Sequence, residues 1–133
     1  MRKVLIVNAS ARKNRSLSRY LTKAFESAWK EKYPKSQFQF REVGQGDIPH
    51  VTEQWIAGAY KHPELRTDED KEALLTSDKL VSEIKEADVI LIGTPMYNWS
   101  VPSALKAYID QVLRVGETIL ISKEDEHNPY VGL

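Results

Sequence analysis

Two short runs of branched apolar residues constrain the fold of this chain most: VLIV at residues 4–7 and VILI at residues 89–92. Both runs are continuous, whereas a strand with one solvated face would alternate apolar and polar residues. Continuous runs of this length are typical of strands buried on both faces of a parallel sheet. Parallel neighbours need long crossover connections, which are usually helices, so the chain between the two runs should contain helices.

A helix and a second strand are predicted after the first run. Apolar residues recur at helical spacing from residue 17, and the EKYPKS segment ends that helix at Pro34. The apolar members of this pattern are Leu17, Leu21, Ala24, Phe25 and Ala28. QFQFREV at residues 37–43 alternates polar and apolar residues, which predicts a half-exposed strand near an edge of the sheet.

The secondary structure of residues 44–66 is ambiguous from the sequence, whereas that of the segment after them is clear. VTEQWIAGAYK predicts a short helix bearing Trp55, Ile56 and Tyr60. Thr67 is a candidate N-cap of a longer helix, because three acidic residues follow it at the positive end of the helix dipole. The apolar stripe of that helix comprises Leu74, Leu75, Leu80, Val81, Ile84 and Ala87.

The last predicted helix follows the second apolar run and is opened by Pro102. Its inward-facing residues should be Ala104, Leu105, Tyr108, Ile109, Val112 and Leu113. Strands that alternate with helices predict a parallel sheet with right-handed crossovers. We therefore expect an α/β fold, a doubly wound parallel sheet, in a single domain over residues 1–133.

The composition argues against several classes of function. Lys plus Arg and Asp plus Glu number 19 each, whereas nucleic-acid or anionic-membrane binding would need a basic excess. The sequence has no cysteine, which removes thiolate chemistry and sulfur-ligated metals. No run approaches the ~20 apolar residues of a membrane span, and the first apolar run is too short for a signal peptide. We therefore expect a soluble, cytoplasmic protein.

In a doubly wound sheet, ligands bind beyond the carboxyl ends of the strands, where this chain has two unusual loops. The first, NASARKNRSLS at residues 8–18, contains Ser10, Ser16 and Ser18 beside three basic residues; we call it the serine loop. Hydroxyls and free N–H groups at a helix start can bind a phosphate, although a capped helix beside a solvated basic loop explains the composition equally well. The loop carries neither the P-loop nor the dinucleotide-binding glycine pattern, and it lacks the acidic residues of phosphoacceptor receiver domains.

The second unusual loop, GTPMYNW at residues 93–99, is the aromatic loop. A turn is normally built from Gly, Asn, Asp or Ser, whereas this one carries Met96, Tyr97 and Trp99 around Asn98. One interpretation is that these large side chains cap the core. The other is that they form an apolar wall for a flat ligand whose polar edge meets backbone N–H groups. An isoalloxazine ring is such a ligand, and its phosphate tail would reach the serine loop.

The two loops together resemble those of the flavodoxin-like NAD(P)H:FMN oxidoreductases, in particular the bacterial FMN-dependent NADH azoreductases, or quinone reductases. KVLIVNAS, the serines at 16 and 18, ADVILIGTPMYNW and LKAYIDQVLRVGETI follow in the order and spacing of that family. The specific part is PMYN followed by proline and LK, and the resemblance runs over nearly the whole chain. Trp99 stands where many relatives have phenylalanine.

The resemblance implies a flavodoxin-like enzyme that passes electrons from NADH or NADPH through bound FMN to quinones or azo compounds. It implies phosphate-binding positions at Ser10, Ser16, Leu17 and Ser18, and flavin-ring positions at Met96, Tyr97, Asn98 and Trp99. The flavin carries the chemistry, so we expect no catalytic side chain and no metal. A homodimer with its active site at the subunit interface is also implied.

Five other residues have an expected place without an assigned role in chemistry. The scattered histidines, His50, His62 and His127, should be surface residues. Trp55 and Tyr60 should lie either in the dimer interface or in the core.

Relatives in this family continue beyond this length with two more parallel strands and a third flavin-contacting loop. We therefore expect the run at residues 89–92 to form the edge of a three-stranded sheet, open to pairing with another chain. The sequence is then either a fragment or a natural truncation whose edge is covered by a partner or by swapping. Two alternative functions remain: a flavin-binding or structural remnant without turnover, and a flavodoxin-like electron-transfer module, which ranks last because flavodoxins are usually acidic.

Overall fold

A computed structural model describes residues 1–122, 124, 126–127 and 130–133. The chain divides into two compact units. Unit 1 comprises Met1–Pro49 and Glu86–Tyr108, and unit 2 comprises His50–Lys85 and Ile109–Leu133. The elements in chain order are β1 Lys3–Asn8, α1 Leu17–Lys32, β2 Gln37–Glu42, α2 Glu53–Tyr60, a 3₁₀ turn Pro63–Leu65, α3 Asp68–Glu86, β3 Val89–Gly93, α4 Ser103–Val112, β4 Ile119–Ile121 and β5 Tyr130–Gly132.

Unit 1 is built on a parallel sheet with the strand order β2-β1-β3. β1 pairs with β2 from Lys3↔Gln37 to Asn8↔Glu42 and with β3 from Val4↔Val89 to Asn8↔Gly93. The four residues of the VLIV run are at most 1% exposed. The prediction of a doubly buried central strand, an edge strand at 37–43 and an α/β parallel sheet is therefore confirmed.

β3 is less buried than its composition suggests. Ile90 and Ile92 are 43% and 45% exposed, so the prediction of full burial is wrong for this strand. The physical reason is its position, because within the described part of the chain β3 pairs with β1 alone. The expectation that this run forms the edge of a three-stranded sheet is confirmed.

α1 begins and ends where the sequence predicts, but its predicted apolar stripe is wrong as an inward face, because none of the five residues is buried. The helix ends at Lys32, and the N–H of Tyr33 donates to the carbonyl of Trp29 at 2.7 Å just before Pro34. Leu17 and Leu21 are 82% and 66% exposed. A shallow groove of about 210 Å³ lies between this helix and the outer edge of the sheet; its lining residues are Ser18, Leu21, Thr22, Phe25, Leu91, Ile92, Gly93 and Thr94.

α4 follows Pro102 as predicted. The carbonyl of Pro102 accepts from the N–H groups of Leu105 and Lys106 at 3.0 and 3.1 Å. Leu105 and Tyr108 are both 2% exposed, and Val112 is 5% exposed. Leu113 lies after the helix and is 52% exposed, so its predicted inward position is wrong.

Unit 2 contains α2, most of α3 and the antiparallel pair β4–β5. Its buried apolar cluster is formed by Trp55, Ala59 and Leu74. The predicted N-cap is confirmed, because Thr67 Oγ1 accepts from the N–H of Asp70 at 3.2 Å. Leu75 is 63% exposed, so its predicted place in the inward stripe of α3 is wrong.

Candidate functional site

The serine loop and the aromatic loop leave neighbouring strands at the same end of the sheet. Asn8 and Gly93, the last residues of β1 and β3, are paired in register. The N–H of Ala9 then donates to the carbonyl of Gly93 at 2.9 Å. Both loops of unit 1 therefore begin side by side at the carboxyl end of the sheet, where open α/β sheets bind ligands.

The three predicted serines organise the start of α1. Ser16 is the N-cap in an extended conformation, and its Oγ accepts from the N–H of Arg19 at 3.2 Å. Ser16 Oγ also lies 3.1 Å from Ser18 Oγ. Ser10 is 2% exposed, and its Oγ accepts from the N–H of Arg12 at 3.1 Å. The three hydroxyls therefore lie in the loop before α1 and in the first turn of the helix.

At Leu17 the backbone N–H, and not the side chain, is the group that could bind an anion at the start of α1. Leu17 and Ser18 are the first two residues of α1, and N–H groups at those positions have no acceptor within a helix. The N–H groups of Arg19 and Tyr20 are already taken by Ser16. The first turn contains no acidic residue, so the positive end of the helix dipole is not neutralised there. This arrangement fits an anion such as a phosphate.

Basic side chains surround this helix start. Arg12, Lys13 and Arg15 are exposed, and in the part of the chain that the structure describes no carboxylate is paired with them. Cations near a helix N-terminus oppose the dipole. An added anion would relieve that repulsion, which a solvated loop without a ligand would not.

The aromatic loop contains a tight turn over Tyr97–Ser100. The two end residues exchange backbone hydrogen bonds of 2.9 and 3.1 Å. Asn98 and Trp99, the central residues, have φ of 49° and 65°, which is the pattern of a type I′ turn. A left-handed conformation is common for Asn but costs a bulky residue about 1–2 kcal/mol, and such strain concentrates at functional sites.

The side chains of the aromatic loop point largely to solvent. Met96 is 66% exposed, Tyr97 38% and Trp99 91%. The alternative that these residues cap the core is therefore wrong for Met96 and Trp99. They form an exposed apolar ledge instead, and an exposed apolar patch beside a polar site is typical of a binding surface.

A second hydrogen bond, beyond the one between Ala9 and Gly93, joins the two loops. The backbone N–H of Ala11 donates to Tyr97 Oη at 3.3 Å. The ledge and the serine loop therefore adjoin each other within unit 1, as a ligand with a flat ring and an anionic tail would require.

Four polar residues that the sequence did not single out support the serine loop: Asn8, Arg19, Thr22 and Glu42. Arg19 and Glu42 form an ion pair at the carboxyl end of β2, and Asn8 with Thr22 lies behind it. The hydrogen bond from Arg19 is the main cause that holds the pKa of Glu42 below its usual value, helped by the Arg19 charge and by Asn8. A possible signal was the arginine at the third helical position, where the dipole disfavours a cation.

Two glycines leave room for the site. A Cβ on Gly44 would lie 2.1 Å from the carbonyl oxygen of Ser10, and a Cβ on Gly93 would lie 2.3 Å from Thr22 Cγ2. Both positions therefore need glycine for close approach. These two glycines could not be assigned to the site from the sequence, because the close approach depends on the fold.

The residues expected to lie outside the site are also placed. His50, His62 and His127 are exposed, as predicted. Trp55 is buried in the apolar cluster of unit 2, whereas Tyr60 is 68% exposed. Trp55 is therefore a core residue, as one of the two expectations had it.

The described residues contain no group of three or more His, Asp or Glu side chains that could hold a metal ion. No helix among them combines the length and the apolarity needed to cross a bilayer.

Comparison with known proteins supplies named relatives. The sequence is 43% identical over 121 residues to an FMN-dependent NADH:quinone oxidoreductase of Nostoc punctiforme, covering 91% of this chain and 59% of that protein. It is 41% identical over 133 residues to a protein of the same name from Nostoc sp., covering 100% of this chain and 62% of that one. The chain thus spans less than two thirds of the length of these relatives.

A solved structure and a family model show the fold to which the chain belongs. The crystal structure of an azoreductase from Bacillus anthracis superposes with a TM-score of 0.86 at 31% identity, covering 100% of this chain and 64% of that one. The family model described as the flavodoxin-like fold matches residues 2–133. The chain therefore belongs to this family of the flavodoxin-like fold.

Proposed function

We propose that the protein is an FMN-dependent oxidoreductase that passes electrons from NADH or NADPH to quinones or azo compounds. One observation carries the proposal: a helix start that lacks acidic residues and has free N–H groups, as an anion site requires, is joined to an exposed aromatic ledge by the Ala11–Tyr97 contact. FMN has a phosphate and a flat aromatic ring in one molecule. The names of the relatives, which contain FMN, NADH:quinone oxidoreductase and azoreductase, support the same function.

The serine loop would hold the phosphate. We assign this role to the hydroxyls of Ser10, Ser16 and Ser18 and to the N–H groups of Leu17 and Ser18. These groups lie at the positive end of a 16-residue helix whose first turn lacks acidic residues. Charge-assisted hydrogen bonds from N–H groups and hydroxyls suit a phosphate dianion.

The aromatic loop would hold the ring. Met96, Tyr97 and Trp99 would supply apolar contact, and the turn that includes Asn98 would present polar backbone groups to the ring edge. Flat cofactors bind in this way, with an apolar wall and a few polar contacts that fix their orientation. The left-handed conformations at Asn98 and Trp99 keep the ledge turned outward.

The chemistry that FMN supplies when bound is a two-electron relay from a reduced nicotinamide to the acceptor. The protein then has to bind, orient and shield, and we assign no catalytic side chain and no metal. Electrons entering as hydride and leaving to a quinone are balanced by one proton from water. The exposed ledge leaves the proposed ring position open to both the donor and the acceptor in turn.

We further propose that the protein acts as a homodimer in the cytoplasm and that residues 1–133 belong to a single flavodoxin-like domain. Trp99, at 91% exposure, offers one apolar wall, and a second copy could supply the facing wall. The donor and acceptor are small molecules, so neither nucleic acid nor a membrane is a proposed partner. Sedimentation of the purified protein with and without FMN would test the dimer.

The first experiment is a visible absorbance spectrum of the purified full-length protein before and after anaerobic NADH. We expect a yellow protein that bleaches. A yellow protein that does not bleach would be a flavin binder without turnover. A colourless protein that also fails to bind added FMN would refute the proposal.

A second experiment tests the assignment of the phosphate. Replacing Ser16→Asp and Ser18→Asp together places negative charge where the phosphate should lie, so FMN affinity should fall sharply. Affinity for riboflavin, which lacks the phosphate, should change much less. Undiminished FMN affinity in the double variant would refute the phosphate assignment. Ser27→Asp, on the same helix and away from the loop, is the matched control.

A further inference from the structure

Arg19 binds two carbonyls of the serine loop and the carboxylate of Glu42, and all three guanidinium nitrogens take part. Nε donates to the carbonyl of Arg12 at 2.8 Å, and Nη2 donates to the carbonyl of Ser10 at 2.9 Å. Nη1 and Nη2 lie 2.6 Å from Glu42 Oε1 and Oε2, respectively. Two loop carbonyls and one carboxylate are thus held by a single planar group, which is a geometry that arginine provides and lysine does not.

Glu42 is itself fixed by buried neighbours. Asn8 Nδ2 donates to Glu42 Oε1 at 3.2 Å, and Thr22 Oγ1 donates to Asn8 Oδ1 at 3.0 Å. Asn8 and Thr22 are 8% and 6% exposed. The direction of the Arg19 fork is therefore set by the ends of β1 and β2, before any ligand is present.

The captured carbonyls determine where the loop N–H groups point. In a trans peptide, the C=O of one residue and the N–H of the next point in opposite directions. With the Ser10 carbonyl held by Arg19, the N–H of Ala11 faces away, and there it meets Tyr97 Oη. Because Arg19 also holds the carbonyl of Arg12, the N–H of Lys13 likewise points away from the Arg19 guanidinium. The fork thus turns the N–H groups of these two peptides away from the Arg19 guanidinium.

We infer that Arg19 is a positioning residue for the FMN phosphate: held by Glu42, it fixes the serine loop at the Ser10 and Arg12 carbonyls, beside the hydroxyls proposed to bind the phosphate. The inference rests on the proposed function. It also accounts for a cation in the first turn of α1, where the dipole alone disfavours one. Because the three nitrogens are engaged by protein oxygens, Arg19 acts through the loop rather than by direct contact with the ligand.

The test measures dissociation constants for FMN and for riboflavin by flavin fluorescence in the full-length protein. The main variant is Arg19→Lys, which keeps the charge and loses the fork. We expect FMN affinity to fall about tenfold or more, as the loss of charge-assisted hydrogen bonds predicts, and riboflavin affinity to change less than about twofold. Glu42→Gln should shift the FMN-to-riboflavin preference in the same direction. Arg2→Lys, at the opposite end of the sheet, is the matched control and should leave the preference unchanged.

Each outcome decides between hypotheses. A lost FMN preference in Arg19→Lys and Glu42→Gln supports the positioning role. An unchanged preference overturns it, and so does an equal loss of FMN and riboflavin affinity together with a lower melting temperature, since that indicates a purely structural residue. If the unmodified protein binds neither flavin, the proposed function itself fails, and that result is seen before any variant is compared.

Discussion

The backbone N–H of Ala11 and the phenol oxygen of Tyr97 lie 3.3 Å apart, although 86 positions separate the two residues in the chain. This contact ties the loop after β1 to the loop after β3. It also gives the phenol a polar role on a ledge that is otherwise apolar.

Tyr97→Phe removes the acceptor for the Ala11 N–H and keeps the ring. We expect FMN affinity to fall about fivefold, because a neutral hydrogen bond contributes about 1 kcal/mol. The melting temperature should stay nearly constant, since the contact is exposed. Flavin fluorescence titration measures the affinity. Tyr60→Phe, a 68% exposed tyrosine of unit 2, is the control, and an equal effect in both variants would contradict the prediction.

Trp99→Gly and Trp99→Ala separate backbone strain from side-chain function. Both variants lose the indole, so both should bind FMN more weakly than the unmodified protein. Only glycine relieves the left-handed conformation at φ 65°, so the glycine variant should be the more stable by about 1 kcal/mol. Chemical denaturation gives the difference in unfolding free energy. Equal stability of the two variants would mean that the turn is not held in this conformation.

Gly44→Ala should damage both folding and binding. The added Cβ would lie 2.1 Å from the carbonyl oxygen of Ser10, so the serine loop or β2 must move. Forced overpacking of this kind costs about 1–3 kcal/mol, and FMN affinity should fall with it. Gly132→Ala serves as the control, because a Cβ there has no heavy atom within 4 Å. Thermal melting and FMN titration of both variants provide the measurement.

Asp70 should make the stability of the protein depend on pH in the acid range. Hydrogen bonds from Lys61 and from the N–H of Thr67 lower the pKa of Asp70 from 3.8 to about 2. A lowered folded-state pKa means that the ionised carboxylate stabilises the fold above pH 3.8 and that this contribution is lost as the pH falls toward 2. Asp70→Asn should flatten the melting-temperature profile in that window, whereas the exposed Asp68→Asn should not. A profile for Asp70→Asn that parallels the unmodified protein would contradict the assignment.

Features that depend on neighbouring residues in sequence could be predicted well. The buried strand β1, the N-cap at Thr67 and the end of α1 before Pro34 follow from local patterns that the fold does not override. The exposure of Leu75 and Leu113 could not be predicted, because helical spacing shows which residues share a face of the helix. It does not show how much of that face a neighbouring element covers.

The prediction of full burial for β3 is wrong for a related reason. The composition of β3 suits burial on both faces, but the strand has a neighbour on one side alone within the described residues, and Ile90 and Ile92 are exposed.

In the candidate site, too, local sequence features could be predicted and features that depend on the fold could not. The serines and the aromatic residues could be found because their types are unusual for their positions. Arg19 and Glu42 could not, since their contacts depend on carbonyl directions in a loop and on the pairing of β1 with β2. The left-handed conformation of Trp99 was equally hidden, because it depends on the closed turn from Tyr97 to Ser100.

At Leu17 the backbone is proposed to meet the ligand while the side chain is exposed, so the side chain can carry a label. Its N–H faces the proposed phosphate position, while its side chain is 82% exposed. The 133 residues contain no cysteine, so Leu17→Cys would introduce a single thiol among them, two bonds from the Cα of the residue whose N–H is proposed to meet the ligand. A fluorophore attached there could report the arrival of an anion in real time while leaving the N–H group in place.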